Sequence, residues 1–261
     1  MRLSASNIAW TAERDEAMYD WLKANGFEAV EIAPTRIFPI SPYRRLNDAA
    51  QYARELKQKY GLAISSMQSL WYGRTERLFG PAAERETLLR YTREAIDFAR
   101  AVKCPNLVFG CPKNRRRDGA APETVEGFLC DIAAYAQANQ TVFALEPNPA
   151  VYGTDYLNHT SEALALAERL NLPGLRVNVD VGTMVENGES PEALAGQLQW
   201  VHHVHVSEPS LKPIVRRALH AELAALLREE GYAGYVSLET GRDTPESELR
   251  DVLCYVRETF G

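Results

Sequence analysis

Short apolar segments alternate with longer stretches of helical periodicity along the whole chain. The segments at 3–8 (LSASNI), 28–33 (EAVEIA), 62–67 (LAISSM), 106–110 (NLVFG), 141–146 (TVFALE), 174–180 (GLRVNVD), 201–206 (VHHVHV) and 235–239 (YVSLE) predict strands. Between them, TVEGFLCDIAAYAQA has an apolar face at helical spacing, and Gly26 follows YDWLKAN as a helix stop. Ser190-Pro191 and Thr244-Pro245 each place a capping side chain before a Pro at the first helical position. Eight strands, each followed by a helix, within 261 residues predict an α/β fold: a (β/α)8 barrel forming a single domain over 1–261. No G-x-G-x-x-G follows the first strand, so a dinucleotide-binding fold is the weaker reading.

Period-2 alternation divides the last four strands into two faces. Phe143 and Leu145, Val177 and Val179, Val204 and Val206, and Val236 and Leu238 suit packing against outer helices. His202 falls on that outward side, while His203 forms an interior layer below His205. The opposite face is small or polar and ends each time in a metal-capable side chain: Glu146, Asp180, His205 and Glu239. In a barrel these termini converge at the C-terminal mouth. One inward carboxylate would as readily pair with an interior Arg or Lys. Three carboxylates and an imidazole brought together would repel and resist desolvation unless a cation joined them. An oxygen-rich set with one nitrogen suits one divalent ion, with Mn2+ expected first and Mg2+, Co2+ or Zn2+ as alternatives.

Composition narrows the class of partner. The net charge of −6 argues against nucleic acid, which calls for a basic face. Four cysteines without a C-x-x-C pair read as reduced thiols in a cytoplasmic protein. MRLSASNIAW has no apolar leader-like core, and no apolar run approaches membrane-spanning length, so neither secretion nor membrane insertion is expected.

ALEPNP (144–149), NVDVGTM (178–184), HVHVSEP (203–209) and GYAGYVSLET (231–240), with VEIAP (30–34), resemble the sugar isomerases and epimerases of the xylose-isomerase-like TIM-barrel superfamily. The resemblance spans essentially the whole chain. It implies one divalent metal ion held by Glu146, Asp180, His205 and Glu239, with Glu146 and Glu239 also serving as catalytic base and acid. The implied reaction is proton transfer next to a sugar carbonyl through a metal-stabilised enediolate, giving epimerisation or isomerisation. A dehydratase that begins with the same proton abstraction is a close variant. Many relatives carry a His three residues after the Asp ligand, where this chain has Thr183. The further Glu of ketose 3-epimerases is absent from NPAVYGTDY, and Leu211 and Lys212 stand near where those enzymes carry an Arg. The resemblance also implies a homodimer or homotetramer. Two alternatives are a non-catalytic sugar- or metal-binding barrel and an apurinic-site endonuclease. The endonuclease needs His ligands that the first four strands do not supply.

Glu31, Gln68, Trp71, Asn148, Glu208 and Lys212 are the candidates for substrate contact. Glu31 has interior pairing as its alternative, Trp71 has covering the barrel top, and Glu208 has solvent exposure. Lys113–Arg117 (KNRRR) reads as a solvated loop or subunit contact, or as an anion clamp aided by Arg36 or Lys212. His220 belongs to a helix pattern, and nothing marks Cys111 as a nucleophile.

Overall fold

Eight parallel strands close into a barrel in sequence order in this computed structural model, which describes residues 1–261. They are β1 (Arg2–Ser6), β2 (Ala29–Ile32), β3 (Ala63–Met67), β4 (Asn106–Phe109), β5 (Val142–Leu145), β6 (Leu175–Asp180), β7 (Val201–Val206) and β8 (Tyr235–Leu238), and β8 pairs back onto β1. Around them run α1 (Asp15–Ala24), α2 (Pro34–Ile37), α3 (Leu46–Tyr60), α4 (Ala82–Val102), α5 (Glu126–Ala138), α6 (Thr160–Leu170), α7 (Val181–Asn187), α8 (Ala218–Glu229) and α9 (Glu246–Phe260). No helix is long and apolar enough to cross a membrane.

The core is a ring between strands and helices. The outward residues of β5 to β8, from Phe143 and Leu145 to Val236 and Leu238, are all fully buried against the helices. Gly174 precedes β6 where α5 comes closest: a Cβ there would lie 1.9 Å from the carbonyl oxygen of Ala133, so only glycine fits. The barrel interior is polar. Ser4 Oγ lies 2.6 Å from Ser65 Oγ, and Asn106 Nδ2 donates to Ser66 Oγ at 2.9 Å. Small hydroxyls and amides fill space that such barrels more often give to branched aliphatic residues.

Two local readings need correction. The β6–β7 register runs from Val177 opposite Val201 to Asn178 opposite His203, which leaves His202 as an extra residue. An extra residue breaks the alternation, so His202 does not share the outward face of Val204. Its Nδ1 instead reaches across the interior to Asn106 Oδ1 at 2.9 Å. Helix starts also differ. Ser190 Oγ accepts from the Glu192 N–H but opens only the single turn Pro191–Leu194; the helix that follows β6 is α7, capped by Asp180. Thr244 Oγ1 donates back to the Gly241 carbonyl instead of capping α9. Gly26, just past α1, adopts φ +81 and ends that helix as expected.

Candidate metal centre

The parallel ladder continues one residue beyond β5 and β8. The Glu146 N–H donates to the Phe109 carbonyl at 3.1 Å, and the Glu239 N–H to that of Val206 at 2.9 Å. Both carboxylates are thereby directed into the mouth. Asp180 closes β6 and caps α7, and His205 is the penultimate residue of β7. Glu146, Asp180, His205 and Glu239 present ligand atoms that all lie within 4.8 Å of one another. All four side chains are buried or nearly so. His205 Nδ1 stands 3.0 Å from Glu146 Oε1 and 3.2 Å from Glu239 Oε2.

Each of these side chains is held by a partner of its own. The Thr183 N–H and Oγ1 approach Asp180 Oδ2 at 2.8 and 2.6 Å, and Ser207 Oγ donates to Asp180 Oδ1. Asn178 Nδ2 donates to Glu146 Oε1 at 2.8 Å and lies 3.2 Å from His205 Nδ1. His205 Nε2 meets Glu31 Oε2 at 2.7 Å. A proton on Nε2 shared with Glu31 fixes the ring and turns Nδ1 toward the three carboxylates, as second partners of metal-binding histidines do. Glu31 is itself fully buried, accepting from Gln68 Nε2 at 2.9 Å and lying 3.4 Å from His203 Nε2.

The electrostatics are those of a site short of positive charge. Burial alone would raise Glu31, but His205 and His203 hold it well below the usual carboxylate range. Burial would likewise lower His205, yet Glu31 and Glu239 hold it well above the ordinary imidazole value. Burial, then Glu146, raises Asp180. Burial pushes Glu239 up to about 7 in spite of His205. His205 is the one cationic group within the four-residue cluster, so a divalent cation fits this donor set in charge and in chemistry.

The profile of the xylose isomerase-like TIM-barrel family matches residues 19–259. The chain belongs to that family. The solved structure of the E. coli 3-keto-D-glucoside 4-epimerase has a TM-score of 0.76 at 19% identity over 99% of both chains. D-psicose 3-epimerase from Clostridium cellulolyticum H10, solved with D-tagatose, has a TM-score of 0.77 at 16% identity over 100% of this chain and 99% of its own. An AP endonuclease of family 2 from Brucella melitensis has a TM-score of 0.74 at 23% identity over 98% of this chain and 99% of its own. Likeness at these identities is likeness of fold. No curated protein matches the sequence significantly.

In this xylose isomerase-like barrel the expected substrate contacts are largely spoken for. Glu31 and Gln68 face inward beneath the mouth, where Gln68 Nε2 also donates to Ser6 Oγ at 2.7 Å. Trp71 does not stack over the mouth: its ring packs edge-on against Phe109 and Phe128, and Nε1 donates to Thr92 Oγ1. Glu208 is buried and forked by Arg217, at 2.7 Å from Nε and 2.6 Å from Nη2. Asn148 is buried beside Glu146, donating to Oε2 at 3.3 Å. Lys212 remains exposed on the loop after β7. Of the residues of the anion-clamp reading, Arg36 is bound to both Asp15 oxygens, Arg116 pairs with Asp118 and Arg115 is fully buried, while Lys113 stays exposed. His220 is buried on α8 with Nδ1 2.9 Å from the Tyr255 hydroxyl, and burial pushes the Cys111 thiol up to about 11.

Sequence reasoning named Glu31, Asn148 and Thr183 but not the hydrogen bonds by which they, with Asn178 and Ser207, hold the four donors. Asn178 was within reach, since it shares the inward face of Asp180 one pleat below. Thr183 and Ser207 act through the turns after their strands, and Arg115 is indistinguishable in sequence from its basic neighbours.

Proposed function

We propose that this protein is a divalent-metal-dependent sugar epimerase or isomerase that moves a proton on the carbon next to a carbonyl. The observation that carries this reading is the buried set Glu146, Asp180, His205 and Glu239, gathered within 4.8 Å at the mouth of a xylose isomerase-like barrel. These four residues would hold the ion, with Mn2+ the expected metal. When bound, a divalent cation draws electron density from a carbonyl and so acidifies the neighbouring C–H.

The protein's own residues then handle the proton. Glu146 and Glu239 enter the mouth from β5 and β8, so a sugar seated over the cluster would meet carboxylates carried by two different strands. Removal by one and return by the other inverts the carbon; return to the neighbouring carbon isomerises it. Asn178 and Asn148 hold the two Glu146 oxygens, which fixes the direction of approach. A cavity of about 450 Å³, lined among others by Ile8, Trp10, Ser69, Tyr72 and Arg242, opens beside the ends of β1 to β3 and β8, and none of the four metal-capable side chains lines it.

Incubation of the Mn2+-loaded protein with a panel of ketoses and ketoglycosides in D2O should place deuterium next to the carbonyl, and Glu146→Gln should abolish that exchange. Metal bound at one ion per chain without exchange on any sugar would favour a binding barrel instead. Exchange that survives Glu146→Gln would remove Glu146 from the acid–base pair.

A further inference from the structure

Arg115 lies in the loop after β4, and alone among the cations of the Lys113–Arg117 run it is fully buried. Its Nη1 donates to the Phe109 carbonyl at 3.2 Å, and its Nη2 to Asn148 Oδ1 at 3.1 Å and the Leu157 carbonyl at 3.4 Å. Its Nε has no partner, and no carboxylate comes within ion-pair distance. A guanidinium buried among neutral acceptors is costly unless a nearby negative charge offsets it. The foremost such charge is Glu146, and burial lowers Arg115 only to about 10, so it stays protonated at neutral pH.

The link between the two is Asn148. A guanidinium can only donate, so the Asn148 oxygen must face Arg115. Its amide nitrogen is thereby turned to Glu146 Oε2 at 3.3 Å and to the Pro147 carbonyl at 2.9 Å. The backbone is bare at this point: a Cβ on Gly110 would fall 2.4 Å from Glu146 Oε2 and 3.4 Å from Asn148 Oδ1. The end of β4 is therefore shaped around this pair of side chains.

We propose that Arg115 is a positioning residue of the metal centre, fixing the Asn148 amide so that Asn148 holds Glu146 Oε2. The proposal rests on the metal-binding reading, and calorimetric titration of the metal-free protein with Mn2+ tests the two separately. Wild type, Arg115→Met, Asn148→Ala and the double variant form a cycle. Each single variant should bind Mn2+ about 10-fold more weakly, as losses of such supporting groups do. The double variant should be no weaker than the worse single one, because both changes break the same chain. Arg115→Lys keeps the charge but cannot span Phe109 and Asn148 together, so it should show a smaller loss. If Arg115→Met does not fold, as judged by circular dichroism, Arg115→Lys takes its place in the cycle. Wild type that binds no ion overturns the metal reading itself. Wild type that binds, with unchanged affinity in the variants or with losses that multiply, overturns the role of Arg115.

Discussion

Thr183 shows how one side chain can hold another at two points. Its backbone N–H and hydroxyl both approach Asp180 Oδ2, with the hydroxyl also 2.9 Å from the Pro147 carbonyl. The side chain is fully buried, and its hydroxyl is directed at Asp180. Thr183→Val keeps the shape and removes the hydroxyl. It should cost about 1–3 kcal/mol of stability by leaving a buried acceptor short of a donor, and it should weaken divalent-ion binding. Denaturant unfolding and Mn2+ titration measure the two effects, with Thr183→Ser expected to restore both. A valine variant as stable and as tight-binding as wild type would remove Thr183 from the support of Asp180.

At the scale of the element, β7 explains both what the sequence disclosed and what it concealed. Alternation located Glu146, Asp180, His205 and Glu239 because the C-terminal ends of β6, β7 and β8 stay in register, with Asp180 opposite His205 and His205 opposite Ser237. It misplaced His202 because the extra residue sits at the other end of the same strand, and counting by twos cannot register an insertion. Trp71 stayed open between two readings for another reason: the path of the loop after β3 is set by packing against Phe109 and Phe128, which no local pattern encodes. The inward His202 has a consequence for pH. Burial first, then the charges of His203 and Arg176, lower it to about 4 from an ordinary 6.5. The unfolded chain therefore takes up a proton near pH 6.5 that the folded chain refuses until about pH 4. Stability from this group is complete above pH 6.5 and falls as the pH drops through that window. At about 1.4 kcal/mol per pKa unit, the loss amounts to a few kcal/mol. Urea melts of wild type and His202→Gln between pH 4 and 7 should show a shallower acid decline in the variant. Parallel curves would mean that His202 does not titrate differently on folding.

For the whole molecule, the barrel gathers charge that its own interior does not balance. The cation at the mouth is His205, already shared with Glu31, while Glu146, Asp180 and Glu239 crowd around it. Binding an ion there is linked to folding, because the unfolded chain presents no such cluster. Free Mn2+ at about 1,000 times its dissociation constant should add about 4 kcal/mol. For a chain of this length, at about 2–4 °C per kcal/mol, that is a rise of roughly 10 °C in Tm, reversed by EDTA. The effect has a defined pH dependence. Glu239 sits at about 7 before an ion binds, so below that pH a proton must leave the carboxyl before it can ligate. The Mn2+-dependent rise should therefore shrink from pH 8 to pH 6, and Glu239→Gln should show little rise at any pH. Differential scanning calorimetry at several Mn2+ concentrations measures it, and a Tm indifferent to both Mn2+ and EDTA would mean that the four side chains hold no ion. A rise that EDTA reverses and that Glu239→Gln abolishes would show that an ion completes the charge balance at the mouth, above the His205–Glu31 pair.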